Sequence, residues 1–149
     1  MESSRNAKDT GGGAKTRCEQ WYILSNHWQS DLEFFEQDLH FLHHLIDNYL
    51  LWITLPENLE SVKAIENDLL ALQRKCRALL EKVKAHKSVL AAQIQKPDSS
   101  GQTEPGGAHA ALEQELASFV KHYRQNRLET FKVTEYIIDS EELPEIDMP

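Results

Sequence analysis

Apolar residues recur along this chain at alternating spacings of three and four, in three long stretches separated by breaks. In the first, Trp21, Trp28, Leu32, Phe35, Leu39, Leu42, Ile46, Tyr49 and Ile53 form one stripe, which predicts a helix over about 17–54. The second carries a near-heptad seam of Val62, Ile65, Leu69, Leu72, Cys76, Leu79, Val83, His86 and Leu90, and predicts a helix over about 57–95. In the third, about 108–139, Leu112, Leu116, Phe119, Tyr123, Asn126, Thr130, Val133 and Ile137 share one side. Phe34, Phe41, Leu45 and Trp52 lie about a quarter turn beyond the first stripe, where they either widen the internal face or form a dimer face.

The breaks fix the topology. Pro56 pushes Leu55 out of the helical region and itself suits the first turn of a new helix, so the first connection is tight and the first two helices run antiparallel. Lys96-Pro97-Asp98-Ser99-Ser100-Gly101 opens a longer linker, 96–107, that lets the third helix return alongside the first. The expected fold is therefore all-α: an up-down-up antiparallel three-helix bundle of long, coiled-coil-like helices over 17–139. A flexible Gly/Ser-rich segment, 1–16, precedes it, and an acidic tail, 140–149, follows.

Composition narrows the function more by exclusion than by assignment. With 149 residues, 40% of them hydrophobic, the chain can bury one sizeable core. A net charge of −8 supplies no Lys/Arg surface for a phosphate backbone, so a nucleic-acid partner is not expected. Cys18 and Cys76 are too few for a disulfide framework. The longest wholly apolar run, Tyr49 to Ile53, is far short of the roughly 20 residues that span a bilayer. A cytoplasmic location with no membrane association is the expectation.

The charge is unevenly placed. From Cys18 to Leu55 there are six acids and no Lys or Arg, whereas 57–94 carries seven bases against five acids. Such a partition instructs which helices pair. The stretch from Asp139 holds five acids, and with Leu143 and Ile146 as anchors the tail could dock on a basic groove of a partner.

Several polar residues fall near the predicted core. Asp31 and Asp38, seven apart on the first helix, are expected to point inward, and a buried carboxylate needs donors. Bundle register makes Arg124, Asn126 and Arg127 the expected partners in a structural polar core. His27, Asp31, His86 and His122 fall at about one level of the three helices, and mixed His/carboxylate sites inside bundles bind iron or zinc. A second stripe, Glu36, His40, His43 and Asp47, converges on one helix and could hold a divalent metal. Neither group has the Glu-x-x-His pairs of di-iron bundles, and a lone seam histidine is usually a hydrogen-bonded core residue. No phosphate loop, serine elbow or cysteine in catalytic context occurs, so no cofactor and no enzymatic activity are expected.

The run Trp28-x3-Leu32-Glu33-Phe34-Phe35-x2-Asp38-Leu39-x2-Leu42, followed by the heptad helix and by Phe119, Arg124, Arg127, Leu128 and Phe131, resembles a group of small bacterial three-helix proteins of Bacteroidota. The likeness covers about residues 20–138. It implies a coiled-coil-like bundle with no established activity and assigns no functional residue. The resulting expectation is a non-enzymatic interaction or scaffold protein that binds a protein partner or associates with itself as a homodimer. The alternatives are a metal-binding bundle and an adaptor acting through its acidic tail.

Overall fold

A computed structural model describes residues 10–96 and 105–142, and they form an all-α three-helix bundle. Helix α1 is Thr10–Leu50, α2 is Pro56–Gln95 and α3 is Pro105–Glu141. Both α2 and α3 begin on a proline, whose missing N–H costs nothing in a first turn. Helix α1 starts seven residues before the expected position. Buried Cys18, and Arg17 lying over the Trp21 ring at 6.0 Å, anchor the first turn of the expected helix, and α1 runs ahead of it into the segment expected to be flexible. It ends at Leu50 and not at 54, because Trp52 N donates to Tyr49 O in a tight turn at 2.9 Å and Pro56 holds Leu55 out of the helix. Helix α3 stops at Glu142, which adopts the left-handed conformation (φ 57°) that commonly closes a helix.

The described residues fall into two compact units, each built from all three helices. One comprises 10–33, 78–96 and 105–116, joining the start of α1, the end of α2 and the start of α3; the other comprises 34–77 and 117–142. In each, α2 is antiparallel to α1 and α3, giving the up-down-up order. We refer to them as the first and second units.

The second unit buries an aliphatic core together with Asn58, Asn126, Thr130 and Thr134. Leu39, Leu42, Ile46, Val62, Leu69 and Leu72 are essentially inaccessible, each burial being worth about 1.5–3 kcal/mol. The first unit buries Leu32, Leu79, Val83, Leu90 and Leu112 together with Ser25, His86 and His109. Every seam residue expected on α2 is buried. On α3 the expected Val133 is half-buried and Thr134 takes the inward place, since spacing by four from Asn126 and Thr130 continues the 3.6-residue repeat. Thr134 Oγ1 donates to the Thr130 carbonyl at 2.7 Å and Thr130 Oγ1 to Asn126 Oδ1 at 3.3 Å, so these buried hydroxyls are satisfied within α3. Of the flanking residues, Leu45 is buried and Phe41 half-buried, which widens the internal face, whereas Phe34 and Trp52 are exposed.

A carboxylate from α3 closes the turn between α1 and α2. Glu141 accepts from the backbone N–H groups of Thr54 (3.2 Å) and Leu55 (2.9 Å), from Thr54 Oγ1 (2.8 Å) and from Asn58 Nδ2 (2.9 Å). These donors precede or begin α2, where backbone N–H groups lack helical partners and a negative charge is favoured. The hydrogen bonds, those from Asn58 and Leu55 foremost, hold the Glu141 carboxyl down at about 2.

Candidate functional site

The first unit holds the most unusual constellation. His86, from the α2 seam, and His109, from the first turns of α3, are both buried, and His86 Nε2 lies 2.8 Å from His109 Nδ1. One nitrogen must donate and the other accept, so the two rings share a single proton along that line. Trp21 and Trp28, seven residues apart on α1, each stack on His109 with centroids 4.7 Å away and interplanar angles of 19° and 24°. Burial lowers the proton affinity of both histidines. The neighbouring His109 lowers it further at His86, while Glu113 acts in the opposite sense on His109. The pair is thus held neutral. Ser25, one turn from each tryptophan, is buried with an unpartnered hydroxyl among the described residues.

Beside His86 an open cleft of about 420 Å³ runs between α2 and α3. Ala85, Val89, Pro105, Ala108, Ala111 and Leu112 give it an apolar floor, and Lys82 and Glu115 stand on its two rims, paired at 2.9 Å. Four of these side chains are exposed: Ala85, Val89, Ala108 and Ala111. The small residues leave the helix backbones open to close approach by another surface.

The second unit carries three polar clusters. Asp38 accepts from Tyr123 Oη at 2.5 Å and pairs with Arg127. Burial and the Asp38 carboxylate both push the Tyr123 hydroxyl well above its ordinary range, and Asp38 strengthens the hold of Arg127 on its proton. Asp68 accepts from Asn126 Nδ2 at 2.8 Å and meets His122 Nε2 at 2.8 Å. His43 Nε2 lies 3.2 Å from Glu66 Oε2 and 3.8 Å from Asp47 Oδ1.

The expected polar core is therefore half formed. Asp38 pairs with Arg127, but Asn126 bonds Asp68 instead, and Asp31 and Arg124 are exposed. The two aspartates stand at the same angle beside fully buried leucines, Leu32 and Leu39, and what separates them is that Tyr123 and Arg127 of α3 meet Asp38, leaving Asp31 to solvent. The expected metal group His27, Asp31, His86 and His122 is not assembled: His27 and Asp31 face solvent, His86 is committed to His109, and His122 to Asp68. On the second stripe, His43 and Asp47 do converge, and their companion is Glu66 of α2 in place of Glu36 and His40 of α1. Glu36 instead faces Arg77 at 3.5 Å, an exposed pair joining acidic α1 to basic α2 as the charge partition predicts. Its worth is below about 1 kcal/mol. Leu143 and Ile146 lie outside the described residues.

Sequence reasoning missed His109, Asp68 and Glu66. A signal for His109 existed: extending the seam Leu116–Leu112 back by three residues reaches it. Asp68 and Glu66 flank the α2 seam, where only the pairing with α1 and α3 shows what they meet.

No helix among the described residues is long and apolar enough to cross a membrane. Comparison with protein-family models, curated proteins and solved structures finds no match to this chain.

Proposed function

We propose that this chain is a non-enzymatic helical scaffold that associates with itself through the α2/α3 cleft of its first unit. The observation that carries the reading is the cleft itself: an apolar floor of small side chains, left open, between rims of opposite charge. A two-fold axis through such a surface sets each Lys82 against the Glu115 of the other copy, so the cleft is complementary to itself. Closing two floors together removes Val89 and the exposed alanines from water, and specific interfaces of this kind bury upwards of about 1,000 Å² in total. The neutral His86–His109 pair beneath the floor keeps net charge out of that interface.

The test is the mass of the untagged chain by sedimentation equilibrium across micromolar to submillimolar concentration. Twice 17.1 kDa is expected for the wild type. Ala111→Glu and Val89→Glu should give monomers of unchanged helicity. Lys82→Glu should weaken the dimer, and Lys82→Glu with Glu115→Lys should restore it. A monomeric wild type throughout, or a dimer indifferent to Ala111→Glu, refutes the reading. So does a cleft that takes up a small apolar ligand while the chain stays monomeric.

A further inference from the structure

The geometry of the second unit points to a site for a divalent cation, zinc by its dimensions, formed by His43 and Asp47 of α1 with Glu66 of α2. One ligand atom from each residue lies within 4.8 Å of the other two, and among the described residues this is the group of His, Cys, Asp and Glu side chains that meets that condition. A zinc ion with ligands at about 2.1 Å in tetrahedral array has ligand-to-ligand edges of about 3.4 Å. The two edges from His43 Nε2, 3.2 Å to Glu66 and 3.8 Å to Asp47, bracket that length, and the third, from Asp47 to Glu66, lies within 4.8 Å.

Donor arithmetic supports the same conclusion. Nε2 of a neutral imidazole carries at most one hydrogen, while two carboxylates converge on it. With the hydrogen on the other ring nitrogen, all three facing atoms present lone pairs. A dication satisfies the three together and cancels the two carboxylate charges. His43 and Glu66 are about three-quarters buried, which orients them, and Asp47 is half exposed, which leaves an entry path and room for a water as fourth ligand. The ligands come from antiparallel helices, His43 and Glu66 being 23 residues apart in the chain. A bound ion therefore acts as a clasp between α1 and α2 close to the turn that joins them. It is independent of the cleft and of self-association.

The test is titration of the full-length, tag-free chain with zinc against a chromophoric chelator. One equivalent should bind. His43→Ala should weaken binding at least 10- to 100-fold, the loss that even outer-shell changes produce, with Asp47→Asn and Glu66→Gln weakening it too. His27→Ala and His122→Ala should leave it unchanged. Cobalt in place of zinc should give the intense visible absorption of a tetrahedral centre. Zinc should raise the melting temperature of the wild type and not of His43→Ala, whose metal-free helicity should match the wild type. Absence of binding at submillimolar zinc, binding unaffected by His43→Ala, or a weak octahedral cobalt spectrum overturns the proposal.

Discussion

Acidification should destabilise this bundle through one buried pair, His86 and His109. In the unfolded chain each titrates near 6.5, but in the fold burial lowers both, and each imidazolium would sit beside the other ring. The unfolded state therefore binds more protons, and stability falls as pH drops below 6.5, levelling off only beneath the folded values. The ceiling for one histidine held neutral is about 1.4 kcal/mol at pH 5.5, and for two about 2.8 kcal/mol. The shared hydrogen bond and the flanking Trp21 and Trp28 faces, which attract a cation, favour the first proton over the second. The expected loss thus lies between those ceilings. Against a typical domain stability of about 5–15 kcal/mol this is large. The assay is urea unfolding followed by far-UV circular dichroism from pH 5 to 8, for the wild type and for His86→Gln with His109→Gln. The wild type should lose stability more steeply below pH 6.5 than the variant, because the remaining histidines are common to both. Equal slopes, or a shallower wild-type slope, would refute the neutral buried pair.

Other consequences are equally concrete. Asp38→Ala strands the Tyr123 hydroxyl and Arg127; charge-assisted hydrogen bonds are worth about 1.5–3 kcal/mol, and the partial exposure of Arg127 places the cost near the low end, whereas Asp31→Ala should change urea stability by less than about 0.5 kcal/mol. Glu141→Gln should remove a stabilisation that the wild type has above about 4.5 and loses as pH falls towards about 2, a window separate from that of the histidines and visible in acid titrations followed by circular dichroism. Burial pushes the Cys76 thiol up to about 12, so Cys76 in the native chain should resist a thiol reagent at pH 8 and react at the rate of unfolding. Leu69→Ala, at a fully buried seam position, should cost about 2–5 kcal/mol in the same urea assay.

Local pattern was sufficient for everything that depends on one helix at a time. The heptad run from Val62 to Leu90 specified the buried face of α2 residue by residue, because a seam that repeats every three or four positions stays on one side of an α-helix whatever it packs against. Pro56 specified the turn, since a proline restricts the backbone of the residue before it regardless of context. Tertiary structure decided whatever depends on the partner of a side chain. Asp31 and Asp38 are seven apart and equivalent by pattern, yet one is solvated and the other paired, because Tyr123 and Arg127 of α3 reach only the second. Glu66 joins His43 and Asp47, and Glu141 caps the turn at Leu55, through contacts that cross from one helix to another. Such contacts depend on axial register and helix rotation, which a periodic stripe leaves free by whole turns and which only the interlocked packing of three helices sets.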